Sequence, residues 1–264
     1  MTTLTPSQIR EKKKRGEKIA VLTAYDYPTA KILDEEGVDM ILVGDSLGMV
    51  LLGYDNTLPV TMEDMVYHAK AVSRGIRRSL AIADMPAGSF ETPELALHNA
   101  GRFVKECGIG GVKIEGGSKI REQVRALTGA GIPVAGHLGM LPQSVGETGG
   151  FKVRGKKPEE AEKILEDAAM LDALGVFALF LECVPGALGA EVSKRVSCPT
   201  IGIGAGPGTD GQVLVLHDLL GFRGNVTPKF VRRYADLDGD IRKAVRAYRS
   251  DVMTGKFPSE AESY

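Results

Sequence analysis

Seven polar residues stand in or just after short apolar runs: Asp45, Ser46, Asp84, Lys113, Glu115, His137 and Glu182. The first run, Met40-Ile41-Leu42-Val43, has no polar alternation, as expected of a strand buried on both faces, and it stops at Gly44-Asp45-Ser46. Lys113 and Glu115 are one residue apart, so on a strand their side chains share a face, with Ile114 on the other. Taken singly, an Asp that ends a strand is as readily a helix cap or turn former as a ligand. Taken together, three or four carboxylates aimed at one volume repel and raise one another's pKa unless a cation holds them. A divalent, oxygen-seeking ion resolves that conflict, most simply Mg2+, which one or two carboxylates hold while substrate and water complete its shell. Zinc is disfavoured: there is no HxxxH spacing and no Cys/His cluster, and His68, His98 and His217 read as helix-face or core residues.

These residues need elements to bring them together, and the chain supplies eight apolar runs. They are 19–24, 40–43, 79–83, 111–115, 133–137, 176–181, 200–204 and 212–216. Between most of them lie helical patterns: Pro28 to Glu36, Thr61 to Gly75, Thr92 to Gly108, Ser118 to Ala130, Pro158 to Leu174 and Ala187 to Val196. Regular strand and helix alternation argues for a parallel sheet, and eight strands closing on themselves make a (β/α)8 TIM barrel, with a doubly wound open sheet as runner-up. The barrel is preferred because polar residues end nearly every run, on the side where a barrel gathers its site. The connection from Ala205 to Gly211 has no room for a normal helix, an irregularity in the pattern.

Length agrees with this plan. The chain has 264 residues, a size that such barrels reach as one domain, so residues 1–264 are expected to form a single barrel. An N-terminal basic helix over about 5–16 precedes it, and a charged helical segment over about 230–258, broken near Asp238-Gly239, follows. Long Gly-rich connections at Leu47 to Val60 and Leu138 to Lys157 are candidate site loops.

A net charge of −1 leaves no electrostatic footprint for nucleic acid or an anionic membrane. No apolar run approaches the roughly 18 residues that span a bilayer, and there is no signal-peptide core, so a cytoplasmic protein is expected. Cys107, Cys183 and Cys198 are odd in number and lack CxxC spacing, which supports neither disulfides nor a thiolate metal site.

Several motifs resemble the ketopantoate hydroxymethyltransferase family in order along nearly the whole chain. They are Thr23-Ala24-Tyr25-Asp26, Val43-Gly44-Asp45-Ser46-Leu47-Gly48, Thr57-Leu58-Pro59-Val60-Thr61 and Val112-Lys113-Ile114-Glu115-Gly116-Gly117. Further on come Gly136-His137-Leu138-Gly139, Pro142-Gln143-Ser144, Leu181-Glu182-Cys183-Val184-Pro185 and Ile201-Gly202-Ile203-Gly204-Ala205-Gly206. The resemblance implies a barrel of the phosphoenolpyruvate/pyruvate superfamily type, assembled as a homo-oligomer, commonly a decamer. It implies transfer of a one-carbon unit from 5,10-methylenetetrahydrofolate to 3-methyl-2-oxobutanoate, giving 2-dehydropantoate in pantothenate biosynthesis. It further implies Mg2+ on Asp45 and Asp84 with Glu115 close by, directly or through water. Ser46 and Lys113 are then expected at the keto acid's carboxylate, His137 in the substrate site and Glu182 as the base. One departure is the stretch Met85-Pro86-Ala87-Gly88-Ser89-Phe90, where many relatives are expected to carry an aromatic near Ala87 and a tyrosine near Phe90.

Two other readings compete. An isocitrate lyase or phosphoenolpyruvate mutase relative would carry a Lys-Lys-Cys-Gly-His-type loop, which is absent. A barrel kept only as a binding or scaffold subunit would be expected to have lost Asp45, Asp84 or Glu182, and all three are present.

Overall fold

The structure, a computed structural model, describes residues 3–144, 152–222 and 228–264. It divides into two compact units, Met1–Val215 and Leu216–Tyr264. In the first, eight parallel strands close in sequence order into a barrel, so the open-sheet alternative is excluded. The strands are β1 (Ile19–Thr23), β2 (Met40–Val43), β3 (Leu80–Asp84), β4 (Val112–Glu115), β5 (Val134–Gly139), β6 (Ala178–Glu182), β7 (Thr200–Ile203) and β8 (Gly211–Leu214). Closure is made by β1 and β8, paired from Ile19 with Gly211 to Leu22 with Leu214. The β7–β8 connection holds no helix, yet Asp210 organises it, its carboxylate accepting from the Thr200 N–H at 2.8 Å and the Thr200 hydroxyl at 2.9 Å.

The helices before the strand ends are α1 (Pro6–Lys14), α2 (Tyr27–Glu35), the single turn α3 (Leu47–Val50), α4 (Met62–Gly75), α5 (Pro93–Cys107), α6 (Arg121–Gly129), α7 (Pro158–Ala173) and α8 (Gly186–Arg195). Their starts follow from the caps that the residue types supply. Thr5 and Thr61 form capping boxes with Gln8 and Asp64, and Asp26 and Thr92 cap α2 and α5. A 3-10 turn at Ser118–Ile120 precedes α6, and the connection after β2 begins with α3 rather than running as loop throughout.

Alternate residues of the strands point into the barrel and pack there: Ile19 and Val21, Met40 and Leu42, Leu80 and Ile82, Ala178 and Phe180, with Ala135, Ile201 and Val213. Ile9 of α1 joins this cluster, and α1 is fastened where strands begin. The Arg10 guanidinium donates to Val176 O, and Lys13 Nζ to the carbonyls of Ser193, Val196 and Cys198. The basic helix therefore closes the N-terminal end of the barrel, and the polar residues collect at the other. Asp34 sets the entry to β3: its buried carboxylate accepts the N–H groups of Arg77, Arg78 and Ser79 at 3.0, 2.8 and 2.7 Å.

Two boundaries differ from the sequence expectation. The eighth strand ends at Leu214, and Leu216, His217 and Asp218 lie in a single turn, α9 (Leu216–Leu219). In the second unit, Asp238-Gly239 does not break a helix; it lies in the first turn of α10 (Leu237–Met253), and the residues just before it are not helical. A glycine in a first turn costs less order than one in mid-helix, and the acidic residues beside it suit a helix N-terminus. None of the described helices is long and apolar enough to cross a membrane.

Candidate active site at the C-terminal ends of the strands

The alternation that fills the barrel also places the charges. Along β3 the inward sequence is Leu80, Ile82, Asp84, and along β6 it is Ala178, Phe180, Glu182; the last inward position of each is a carboxylate. On β4, Lys113 and Glu115 share the inward face, and the register pairs Asp84 with Lys113 and Glu115 with His137 as direct neighbours. All of Asp45, Asp84, Lys113, Glu115 and His137 are buried, and Glu182 is partly so.

These side chains form one linked network. The Asp45 N–H donates to Asp84 Oδ2 at 3.1 Å, and Lys113 Nζ is paired with Asp84 Oδ1. Lys113 Nζ also lies 3.8 Å from Glu115 Oε1, which meets His137 Nδ1 at 3.0 Å. His137 Nε2 is 3.3 Å from Glu182 Oε2, an ion-pair distance away from hydrogen-bond alignment. Six of the seven residues singled out from sequence are thus in contact, directly or through one another. Ser46 joins from the side: its hydroxyl is 2.8 Å from the Tyr25 hydroxyl, at the tip of β1, and the Tyr25 carbonyl is in turn 2.6 Å from His68 Nδ1.

Backbone geometry makes room for the network. Gly44 occupies the inward position beyond Leu42, where a Cβ would sit 2.8 Å from Ser46 Oγ and 3.4 Å from Asp84 Oδ2. Gly139 has φ +97, and a Cβ there would come within 2.2 Å of the Glu182 carbonyl oxygen. Cys183, directly after Glu182, holds φ 49, which costs a non-glycine residue about 1 kcal/mol and more; its N–H donates to Ile203 O at 2.9 Å.

Electrostatics separates the carboxylates. Burial, then the charges of Asp84 and Glu115, push the Asp45 carboxyl well above its ordinary pKa. Burial pushes Glu115 the same way, but the His137 imidazole and Lys113 outweigh it and leave its pKa lowered. Burial and Lys113 oppose a charge on His137, yet Glu115 and Glu182 together raise it to about 9. Lys113 is raised by Asp84, Glu115 and Asp45 against the cost of its own burial.

The donor set fits a divalent cation in a specific way. Asp84 is matched by Lys113 and Glu115 by His137, whereas among the described residues the side chain of Asp45 is hydrogen-bonded by the neutral amide of Gln143. Among the described residues no group of three His, Cys, Asp or Glu side chains is placed to hold a metal ion, so a cation here would draw its remaining positions from substrate and water. Two adjacent carboxylates, one of them short of positive charge, suit Mg2+, whose remaining positions go to substrate and water.

Two participants were not singled out as site residues from the sequence. Tyr25 looked like the end of a strand, and its link to Ser46 had no signal in spacing. Gln143 sits in a short 3-10 turn, Pro142–Ser144, after β5. Its Nε2 donates to Asp45 Oδ2 at 2.8 Å and to Met85 O at 2.9 Å, and its N–H donates to Glu115 Oε2 at 3.2 Å. The one available hint was the polar residue after a proline within the Pro142-Gln143-Ser144 motif. Of the two candidate loops, 145–151 within Leu138 to Lys157 lies outside the described residues.

Residues 3–260 match the family model described as ketopantoate hydroxymethyltransferase. The chain is 53% identical over 262 residues to 3-methyl-2-oxobutanoate hydroxymethyltransferase of Syntrophus aciditrophicus (strain SB), covering 99% of this chain and 96% of that protein. It is 55% identical over 261 residues to the protein of the same name from Acetivibrio thermocellus, covering 98% and 92%. Among solved structures it resembles 2,3-dimethylmalate lyase, a PEP mutase/isocitrate lyase superfamily member, with TM-score 0.60, 16% identity, and 99% and 92% coverage, a likeness of fold.

Proposed function

The chain belongs to the ketopantoate hydroxymethyltransferase family and transfers a hydroxymethyl group to 3-methyl-2-oxobutanoate, forming 2-dehydropantoate, and we propose that the network at the barrel mouth is where it does so. The observation that carries this reading is the convergence of Asp45, Asp84, Lys113, Glu115, His137 and Glu182 from five strand ends into one connected set.

In this reading Asp45 and Asp84 would hold Mg2+, with Glu115 close by, directly or through water; its oxygens also meet His137 and the Gln143 N–H. When bound, Mg2+ supplies Lewis-acid chemistry at the keto and carboxylate oxygens of the 2-oxo acid. Ser46, steadied by Tyr25, and Lys113 receive the carboxylate end of the substrate, and His137 lines its site. Glu182 is the base: it takes the C3 proton onto a carboxylate oxygen and leaves C3 nucleophilic, as enolate character develops toward Lys113. C3 then attacks the methylene carbon carried by 5,10-methylenetetrahydrofolate as one C–N bond breaks and the proton held by Glu182 passes to that nitrogen. Water displaces the second nitrogen, supplying the hydroxyl and the second N–H proton as tetrahydrofolate leaves. The folate brings the one-carbon unit and the protein brings position and charge.

The same reading carries a homo-oligomer of decamer size, which light scattering tests, and a cytoplasmic location. The function is tested by following 2-dehydropantoate formation from both substrates over a Mg2+ titration, in the native protein and in Asp84→Asn. Turnover that depends on the ion and is lost in Asp84→Asn supports the assignment. Equal turnover in chelator, or in the variant, removes it.

A further inference from the structure

Gln143 lies outside every strand, yet it is bound to both arms of the network. Its Nε2 gives one hydrogen to Asp45 Oδ2 at 2.8 Å and the other to the carbonyl of Met85 at 2.9 Å, the residue after Asp84. Two acceptors on one side fix which end of the carboxamide is nitrogen, since an amide turned the other way would set oxygen against oxygen at both places. Separately, its backbone N–H reaches Glu115 Oε2 at 3.2 Å. The remaining atom, Oε1, is buried and has no hydrogen-bond partner among the described residues. A buried acceptor without a donor is costly, so the arrangement is completed by a hydrogen from a bound molecule.

Resting on the Mg2+ reading of Asp45, we propose that Gln143 is a positioning residue for the cation: its carboxamide fixes the Asp45 carboxylate against the β3 end, and its Oε1 accepts a hydrogen from a water bound to the ion. The geometry gives each atom a separate task. Nε2 occupies one oxygen of Asp45, which sets the plane of the carboxylate and leaves its other oxygen for the ion. A water on a divalent cation turns its lone pairs to the metal and its hydrogens outward, so an orphan acceptor matches it and an orphan donor would not. Because the main-chain N–H holds Glu115 independently of the side chain, substitution at 143 leaves that contact in place and acts on Asp45 and the Met85 carbonyl.

The experiment measures Mn2+ affinity of the otherwise intact protein by electron paramagnetic resonance, in the native chain, Gln143→Met and Gln143→Leu. Methionine keeps the length and leucine a branched end, and both remove the amide donor and the Oε1 acceptor without adding charge. Partners that orient a metal ligand are worth about ten- to a hundredfold in affinity. The expected result is a Mn2+ dissociation constant raised about tenfold or more in both variants, with thermal midpoints close to native and turnover recovering as Mn2+ is raised to saturation. Recovery by the ion separates positioning from a general structural defect. Native-like Mn2+ affinity in the variant that folds, or in both, overturns the inference while leaving the metal reading intact. Absence of Mn2+ binding in the native chain overturns both.

Discussion

Asp84 and Lys113 are register partners on adjacent strands, β3 and β4, and their opposite charges meet directly, buried, at the mouth of the barrel. The pair is embedded among further carboxylates, so its two halves are not equivalent. Removing Lys113 leaves the buried Asp84 carboxylate without its counter-ion, and breaking such a pair costs about 3–5 kcal/mol. Lys113→Met is therefore expected to lower the urea-unfolding free energy by about that amount in metal-free buffer and to lose turnover. Full native stability of the variant without metal would contradict a stabilising role for the pair.

Tyr25 supports Ser46 through its hydroxyl, which lies 2.8 Å from the Ser46 hydroxyl. A bond of that kind contributes about 1 kcal/mol, close to a fivefold change in affinity. Tyr25→Phe is expected to raise KM for the keto acid about fivefold, with kcat and the thermal midpoint little changed. A fall in kcat with KM unchanged would move Tyr25 from holding the substrate to the chemistry itself.

Asp34 and Asp172 give the fold an acid-sensitive component away from the site. Burial opposes ionisation of each, but backbone N–H groups outweigh it and lower both pKa values: Arg77, Arg78 and Ser79 for Asp34, Ser197 and Cys198 for Asp172. A carboxyl lowered by folding stabilises the protein above its unfolded pKa, near about 4, and that contribution is lost as pH falls through the lower folded value. Asp34→Asn is expected to be less stable than the native chain at pH 7, by about 2 kcal/mol. The gap should narrow as pH falls from about 5 to about 2. A gap independent of pH, measured by urea unfolding, would contradict this.

How far the site could be read from sequence depended on the element carrying each residue. Asp84, Glu115, His137 and Glu182 stand at or near the ends of apolar runs, and inward alternation is a regular feature of strands, so their convergence followed from the barrel itself. Gln143 and Tyr25 act through contacts between a turn or strand tip and a distant strand end, and no local periodicity encodes such contacts. Asp45 was visible as a polar residue after β2, but its need for positive charge became evident only with the distances to Asp84 and Gln143. The limits of β8 were misread because Val215-Leu216 continues the apolar run after the ladder to β1 has ended at Leu214. The helical character of α10 was legible, but its start was not, because Asp238-Gly239 serves a first turn as well as it serves a break.

The assignment of Glu182 as the base is the central claim, and proton exchange tests it without the folate step. In deuterated water with Mg2+ and 3-methyl-2-oxobutanoate but no methylenetetrahydrofolate, nuclear magnetic resonance follows the C3 proton directly. The native protein is expected to exchange that proton, and Glu182→Gln is expected to bind the keto acid while exchange disappears. Exchange at the native rate in Glu182→Gln would contradict the account and hand the proton to another group.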